Sequence, residues 1–218
     1  MALSQPLLSG QKSEWALVRA HPTELSSHAG PPNAHYGVQI AGSRPAQVLR
    51  TTELLVKLCG DGLDTVDLNC GCPLDMVFKQ GAGSALLDSQ GKLVKITGGM
   101  VAVSGGVPVS CKIRMGISQG KNTAQKLLKR LIVENVGVSA VTLHGRSRAQ
   151  RYTVPGCSRI DNRYSKAADW EYIAECAALI KRAKEEMAEV TDSSYQNLEY
   201  GTTQEMAFVG YILSISVV

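Results

Sequence analysis

A short run around two cysteines carries the side chains most suited to chemistry. An apolar stretch, Val66–Leu68, ends in Asn69, and Cys72 then lies between Gly71 and Pro73. Glycine permits backbone angles and close approaches that other residues do not, and proline fixes the chain just beyond the thiol. Although most free cysteines are small buried side chains, this pattern predicts that Cys72 is presented at the end of a strand as a reacting group.

Three further polar side chains, Gln39, Lys112 and His144, lie at or near the ends of other apolar stretches. Together with Cys72 they leave three interpretations open. Cys70, Cys72 and His144 could ligate a metal ion, although the cysteines of zinc pairs are usually separated by two to four residues. A Cys–His pair could form a nucleophile. Alternatively, Lys112 and Gln39 could hold a planar anionic cofactor while Cys72 donates a proton.

The elements that must position these groups alternate between strand and helix. Apolar stretches without clean polar alternation predict parallel strands buried on both faces; they are Tyr36–Ala41, Thr65–Asn69, Val107–Arg114 and Val138–His144. Apolar residues at helical spacing predict helices over Pro45–Leu58, Lys92–Val103 and Asn122–Asn135, and another from Asp169. Asn122 is the expected cap of its helix, and Gly137 is expected to end it.

This order predicts an α/β fold, either an open doubly wound sheet or a TIM-type (β/α)8 barrel. Polar residues at the ends of four successive strands favour the barrel, because barrel enzymes collect their chemistry on that rim, whereas open sheets collect it at one crevice. A full barrel takes about 250 residues. We therefore expect an incomplete barrel, with about the first five strands, over residues 1–183, followed by a divergent tail over residues 184–218.

Composition restricts the function classes. The 218 residues have a net charge of +4 and 44% hydrophobic content, enough for a sizeable core. The mild positive charge permits an acidic partner such as RNA. Six cysteines without framework spacing, and an N-terminus without a signal-peptide pattern, predict a reduced protein of the cytoplasm or nucleus. The apolar run Phe208–Val218 is about half as long as a membrane helix, so no membrane partner is expected.

Seven collinear segments carry a family resemblance: Gly10–Leu17, Gly37–Ser43, Asn69–Pro73, Lys79–Leu87, Lys112–Gly116, Thr142–Arg148 and Gln150–Thr153. They resemble the flavin-dependent tRNA-dihydrouridine synthases, and their combination resembles the eukaryotic subfamily that modifies position 47 in the variable-loop region of tRNA. The resemblance implies an oxidoreductase that uses FMN and NAD(P)H to reduce uridine to 5,6-dihydrouridine. It implies tRNA as the partner, with mRNA as a second RNA substrate, and assigns no metal ion.

The resemblance also implies residue roles. Cys72 matches the family cysteine that protonates C5 of uracil after reduced FMN delivers hydride to C6, and a cysteine thiol ordinarily holds its proton at neutral pH, as a general acid must. Gln39 matches a residue that hydrogen-bonds the polar edge of the flavin. Lys112 matches a lysine that stabilises the anionic reduced flavin, and His144 a histidine beside the cofactor. Asn69 is expected to contact the uracil or to orient the Cys72 loop.

The target base must leave its stack to reach a barrel rim, so phosphate contacts are expected nearby. The candidate RNA-facing residues are Arg114, Arg146, Arg148 and Arg151. Segments 24–35 and 154–165 interrupt the family pattern, and their composition predicts loops or translated non-coding sequence. Because no counterpart of the family's FMN-phosphate segments follows Ala183, the alternative hypothesis is a catalytically impaired fragment that acts as an RNA-binding or regulatory module. No obligatory protein partner is indicated.

Overall fold

A computed structural model describes residues 1–18, 36–134, 136–150, 168–196 and 215–217. The strands in these ranges are β1 (Ala2–Leu3), β2 (Gly37–Ala41), β3 (Thr65–Cys70), β4 (Val109–Arg114), β5 (Ala140–His144) and β6 (Ile215–Val217). The helices are α1 (Ser4–Leu8), α2 (Lys12–Trp15), α3 (Pro45–Cys59), α4 (Asp75–Lys79), α5 (Gln90–Val103), α6 (Ala124–Val133) and α7 (Trp170–Gln196). Short 3₁₀ helices cover Ala16–Val18, Gly60–Gly62 and Gly83–Leu87.

The order of the strands identifies the architecture. All six described strands are parallel, and their order in the sheet is their order in the chain. A doubly wound sheet would reverse its strand order at a switch point. Parallel strands that follow one another and alternate with helices instead form an incomplete TIM-type (β/α)8 barrel, which confirms the predicted fold class.

The structure confirms the four predicted strands to within two residues at each end. The predicted helices are confirmed to the same accuracy, including the start of the helix expected from Asp169, for which no end was predicted. It adds β1 and β6, which are too short to show a periodic pattern. Asn122 is not the cap of α6, because Thr123 occupies that position, and α6 ends at Val133, before Gly137. Helix α7 crosses the expected boundary at residue 183 and runs to Gln196. Arg151 and segments 24–35 and 154–165 lie outside the described residues.

The two faces of the sheet differ sharply in polarity. The apolar face packs against the helices and is almost completely buried; it consists of Val38, Ile40, Val66, Leu68, Cys70, Val109, Cys111, Ile113, Val141 and Leu143. The polar face consists of Gln39, Asp67, Asn69, Ser110, Lys112, Arg114, Thr142 and His144, which alternate with them along the strands. The expectation of strands covered by apolar residues on both faces is therefore wrong, because the four longer strands alternate as half-buried strands do.

In-register pairing brings the polar side chains together. Gln39 pairs with Asp67 across β2 and β3, Asn69 pairs with Lys112 across β3 and β4, and Arg114 pairs with His144 across β4 and β5. Since residues paired in register point to the same side of a sheet, groups from four strands share one surface near its carboxyl edge. Among the described helices, none combines the length and apolarity needed to cross a membrane.

Candidate active site

The two cysteines of the central motif occupy different environments. Cys70 is the last residue of β3 and is completely buried in the apolar face. Burial, and to a smaller extent Cys111 and Asp67, raise the pKa of Cys70 well above its usual value, so this thiol stays protonated and inert. Cys72 lies two residues beyond the strand and is half-buried at its carboxyl edge. Of the two thiols, that of Cys70 therefore belongs to the core and that of Cys72 belongs to the site.

The loop that carries Cys72 is held on both sides. The side-chain oxygen of Asn69 accepts hydrogen bonds from the backbone amides of Gly71, at 3.1 Å, and Cys72, at 2.8 Å. The Cys72 carbonyl accepts from the amide of Ser84, at 3.1 Å, and from its hydroxyl, at 2.8 Å. Behind the loop, Gly83 has a φ of 61°, and a Cβ there would lie 3.0 Å from the Cys72 carbonyl oxygen. Only glycine fits both constraints.

A chain of hydrogen bonds extends from Asn69 across the polar face. Asn69 Nδ2 donates to Gln39 Oε1 at 2.9 Å, and Gln39 Nε2 donates to Asp67 Oδ2 at 2.7 Å. The Ser110 hydroxyl donates to Asp67 Oδ1 at 2.7 Å. We call these four residues the Asp67 network. Burial raises the pKa of Asp67, while the hydrogen bonds from Ser110 and Gln39 and the charge of Lys112 act in the opposite direction.

The Asp67 network has a defined direction. An ionised carboxylate can only accept hydrogen bonds, and the backbone amide of Cys72 can only donate one. Gln39 must therefore turn its NH2 group towards Asp67, and Asn69 must turn its oxygen towards Cys72. Both ends of the chain require the same orientation of the two amides, so Asp67 helps to fix the Cys72 loop. Sequence reasoning missed Asp67 and Ser110, although their alternation with Val66, Leu68 and Cys111 was the available signal.

His144 is a neutral hydrogen-bonding group. Burial, followed by the charges of Arg114, Arg146 and Lys112, lowers the pKa of His144 to about 4. Arg146 Nη1 lies 3.1 Å from His144 Nε2. Because a guanidinium can only donate, Nε2 must accept, and the proton of the neutral ring resides on Nδ1. The described contacts leave that Nδ1–H available to a ligand.

Lys112 is the cation of the polar face. It pairs in register with Asn69 on one side and Thr142 on the other, and it is half-buried. Within the described part of the chain, no carboxylate lies within 4.0 Å of its ammonium group. The cation therefore lies between the Asp67 network, which can donate and accept hydrogen bonds, and the neutral imidazole of His144. Such a set of groups suits a planar ligand with a polar, electron-rich edge.

The predicted arginines have three different placements. Arg114 is only 6% exposed, and it donates to the carbonyls of Gly71, at 2.6 Å, and Ser147, at 3.2 Å. It ties together the loops after β3 and β5, a placement that suits a positioning role better than contact with RNA. Arg146 adjoins His144. Arg148 bonds Asp75 at 2.6 Å, and its guanidinium lies 3.8 Å from the centre of the Phe78 ring.

The geometry favours one of the three chemical interpretations over the other two. Cys70 and His144 lie on opposite faces of the sheet, so they cannot share a metal ion with Cys72, and the described residues contain no other cluster of three metal-binding side chains. Strand β4 separates β3 from β5, and no described hydrogen bond joins the Cys72 thiol to His144. A Cys–His nucleophile is therefore not assembled. The polar face fits the third interpretation, a cofactor surface with Cys72 as a proton donor.

A cavity of about 430 Å³ opens beside this surface, at the carboxyl ends of β1 and β2. It is lined by the segments 3–6 and 41–44 together with Gln47 and Gln80. The Ser43 hydroxyl donates to the Gln80 carbonyl at 2.6 Å, which joins the cavity wall to the segment that leads to Gly83. The carboxyl edge of the sheet is therefore concave next to the Cys72 loop.

Comparison with known proteins finds one family model and a group of similar proteins. A family model described as Dihydrouridine synthase (Dus) matches residues 13–181. A protein of Coccidioides immitis named tRNA-dihydrouridine(47) synthase (NAD(P)+) is 45% identical over 215 residues, covering 88% of this chain. Proteins of the same name from Aspergillus terreus and Aspergillus fumigatus are 44% and 47% identical, covering 90% and 88% of the chain. The chain spans 28% of the length of each of these three relatives.

Proposed function

The chain belongs to the dihydrouridine synthase family, and on this basis we propose that it acts in the reduction of uridine to 5,6-dihydrouridine in tRNA, at position 47, with NAD(P)H as the electron donor. The observation that carries the proposal is the half-buried Cys72, held at the carboxyl edge of β3 beside a polar face that contains Gln39, Lys112 and His144. The relatives named above support the choice of tRNA and of the modified position, because their names specify both.

FMN is the cofactor that the family resemblance implies for this reaction, and the polar face has the groups to bind its ring. Beyond its bonds to Asp67 and Asn69, the Gln39 amide keeps one N–H and one oxygen lone pair. Lys112 provides a cation, and His144 provides a neutral Nδ1–H donor. Bound FMN would supply the hydride that reaches C6 of the uracil. Lys112 would stabilise negative charge at the ring edge, because a cation in a partly desolvated site interacts more strongly than in water.

Cys72 would complete the reduction. Hydride addition at C6 leaves negative charge at C5, and the Cys72 thiol donates its proton there; the resulting thiolate then takes up a proton from solvent. The two electrons come from NAD(P)H, so the reaction balances as the addition of one hydride and one proton across the C5–C6 bond. Such a general acid typically contributes a factor of about 10² to 10⁴ in rate. Asn69 and Ser84 support this role by fixing the loop that presents the thiol.

Cofactor binding by the 218-residue chain tests the proposal directly. We expect the chain, mixed with FMN and freed of excess, to retain a yellow flavin spectrum. With NAD(P)H and an unmodified tRNA transcript, we expect a mass increase of two hydrogens at one uridine. Lys112→Ala should weaken FMN binding about 10- to 100-fold, since a hydrogen bond to a charged group is worth roughly 1.5–3 kcal/mol.

Lys57→Ala is the matched control, because Lys57 is exposed in the last turn of α3, which leads to the start of β3 and so lies at the edge of the sheet opposite to Cys72. It removes the same charge and should leave FMN affinity unchanged. A chain that stays colourless in FMN and leaves every uridine unreduced would contradict the proposal. Equal losses of FMN affinity from the Lys112 and Lys57 variants would remove Lys112 from the cofactor site.

A further inference from the structure

The positive charge of the chain is concentrated on one surface. Residues 88–95 and 121–134 contain six lysines or arginines and two acidic residues, a net charge of +4 that equals the net charge of the whole chain. The basic residues are Lys92, Lys95, Lys121, Lys126, Lys129 and Arg130. All five lysines are exposed, and Arg130 is half-buried. We call them the α5–α6 basic surface.

The α5–α6 basic surface is concave. A cavity of about 430 Å³ is lined by residues 87–92 together with Thr123, Lys126 and Arg130. Gln90 Nε2 donates to the Thr123 carbonyl at 3.1 Å, which joins the starts of the two helices. The Arg130 guanidinium reaches across to Gly91, where a Cβ would lie 3.6 Å from Nη1. The cations of two helices therefore converge on one depression.

Most of this charge is unpaired. Within the described part of the chain, neither Lys92 nor Lys126 has an ion-pair partner. Arg130 bonds Glu134 at 2.7 Å through Nε alone, which leaves its other donors to the cavity. The Thr123 hydroxyl, also in the cavity wall, is buried without a hydrogen-bond partner. The lining of the depression thus contains three cations and an unpaired hydroxyl against the single carboxylate of the exposed Asp88. This balance suits an anion with several acceptor oxygens, such as a phosphate group.

The depression begins at the same edge of the sheet as the site. Gly83 packs against Cys72, and the cavity wall begins four residues later, at Leu87. On the other helix, the amide of Thr123 donates to the carbonyl of Met115, the residue after β4. Both sides of the depression therefore start at the carboxyl edge of the sheet. Gly91 lies eight positions after Gly83, which places the depression within about 28 Å of Gly83 and so within roughly 32 Å of Cys72.

We propose that the α5–α6 basic surface binds the phosphate backbone of the RNA that delivers its uracil to Cys72. A flipped base at the carboxyl edge leaves the flanking nucleotides outside the site, and their phosphates need cations within a few nucleotides of it. Lys92, Lys126 and Arg130 supply these cations at a suitable distance. The contact is with phosphates, so it positions the RNA without reading its sequence. This inference rests on the proposed function for the identity of the RNA as tRNA.

Binding of an unmodified, fluorescent tRNA transcript to the 218-residue chain, followed by anisotropy over a range of KCl concentrations, tests the inference. The double variant Lys92→Gln/Lys126→Gln should bind about tenfold more weakly at 0.1 M KCl. Each lost phosphate contact should reduce the slope of log affinity against log salt by about 0.7–0.9. Because both lysines are exposed, the variant should keep the circular dichroism spectrum of the parent.

The matched control is Lys181→Gln/Arg182→Gln, which removes the same charge from exposed positions on α7. It should change the affinity less than twofold. Equal losses from the two double variants, no loss from either, or no binding by the parent chain would overturn the inference. Displacement of the tRNA by polyglutamate as effectively as by unlabelled tRNA would also overturn it, since the surface would then accept any acidic polymer.

Measurement of dihydrouridine keeps the two proposals separate. If the parent binds tRNA through this surface but forms no dihydrouridine with FMN and NAD(P)H, the result contradicts the proposed function and supports RNA binding by the surface. If dihydrouridine forms and the Lys92→Gln/Lys126→Gln variant is as active and binds as tightly as the parent, the result contradicts RNA binding by the surface and supports the proposed function. If both proposals hold, the variant should raise KM for tRNA and leave kcat unchanged.

Discussion

On the helix-facing side of the sheet, Val66, Leu68 and Cys70 are completely buried among apolar side chains. On the other side, Asp67 and Asn69 belong to a hydrogen-bonded network that ends at the Cys72 loop. These residues alternate along one strand, so a single strand builds both the core and the site. The residues that stabilise the fold and those that organise the site are therefore distinct, because apolar contacts stabilise the first face and satisfied, directional hydrogen bonds organise the second.

The largest expected effect comes from Cys72→Ala. If Cys72 is the general acid, dihydrouridine formation should fall by about 10² to 10⁴. Oxidation of NAD(P)H through FMN should be nearly unchanged, because that half-reaction does not need the thiol. Stability should also change little, since Cys72 is only half-buried. The measurements are product formation by mass spectrometry, NAD(P)H consumption by absorbance and unfolding in urea.

Cys70→Ala is the matched control on the apolar face. It removes the same atom two residues away, and it should cost about 1 kcal/mol in the free energy of unfolding because it leaves a small cavity in the core. Dihydrouridine formation should be close to that of the parent. Full activity in Cys72→Ala, or equal losses of activity in the two variants, would contradict the division between the faces.

A smaller effect is expected from Asp67→Asn, which tests whether the Asp67 network has a fixed direction. The new amide can donate as well as accept, so Gln39 and Asn69 lose the acceptor-only end that orients them. We expect dihydrouridine formation to fall about tenfold, which corresponds to roughly 1.4 kcal/mol. Alkylation of Cys72 by iodoacetamide, measured on the chain without cofactor, should change at least threefold because the loop is less well held.

Ser110→Ala is the control for this change, because it removes one hydrogen bond from Asp67 and leaves the carboxylate as an acceptor. It should alter the rate of dihydrouridine formation and the rate of Cys72 alkylation less than threefold. Unchanged alkylation and activity in Asp67→Asn would show that Asn69 orients the loop without help from Asp67. Similar losses in the two variants would show that the number of hydrogen bonds matters and their direction does not.

Much of this arrangement could be predicted from the sequence, for identifiable reasons. The four longer strands were found because each contains valine or isoleucine between clear breaks, and Gln39, Asn69, Lys112 and His144 all lie on the polar face. Strands β1 and β6 have only two and three residues, too few for a pattern. Asp67 was missed because β3 was interpreted as apolar on both faces.

Arg114 shows a different limit. Its place at the end of a strand agrees with the predicted strand Val107–Arg114, but the sequence does not reveal whether an arginine there turns to solvent, as an RNA-facing residue would, or to nearby carbonyls. The structure buries it against Gly71 and Ser147. That choice depends on the loops after β3 and β5, whose backbone path is set by tertiary contacts.

The positive charge of the α5–α6 basic surface, in contrast, was visible in the sequence. Only the packing of the two helices showed that their cations converge on one depression.

An effect of similar size is expected in the pH dependence of stability on the polar face. The pKa of His144 is about 4 in the folded chain and 6.5 in its ordinary state. Between these values the unfolded chain binds more protons than the folded chain, so the free energy of unfolding rises with pH. The contribution of His144 is therefore fully present above pH 6.5 and is lost as the pH falls towards 4. It should amount to about 1–2 kcal/mol, because partial exposure screens the full effect of the shift.

Urea unfolding of the parent and of His144→Gln between pH 4.5 and 7.5 measures this contribution. The variant has no titrating group at position 144. The difference in the free energy of unfolding between the parent and the variant should therefore narrow as the pH falls. The comparison with the variant is needed because the raised pKa of Asp67 acts with the opposite sign, favouring the folded chain at low pH. The other three histidines, His21, His28 and His35, are present in both chains, so their contributions cancel in the difference. A difference that stays constant over this range would show that His144 is as easily protonated in the folded chain as in the unfolded one, and would remove the neutral Nδ1–H donor from the polar face.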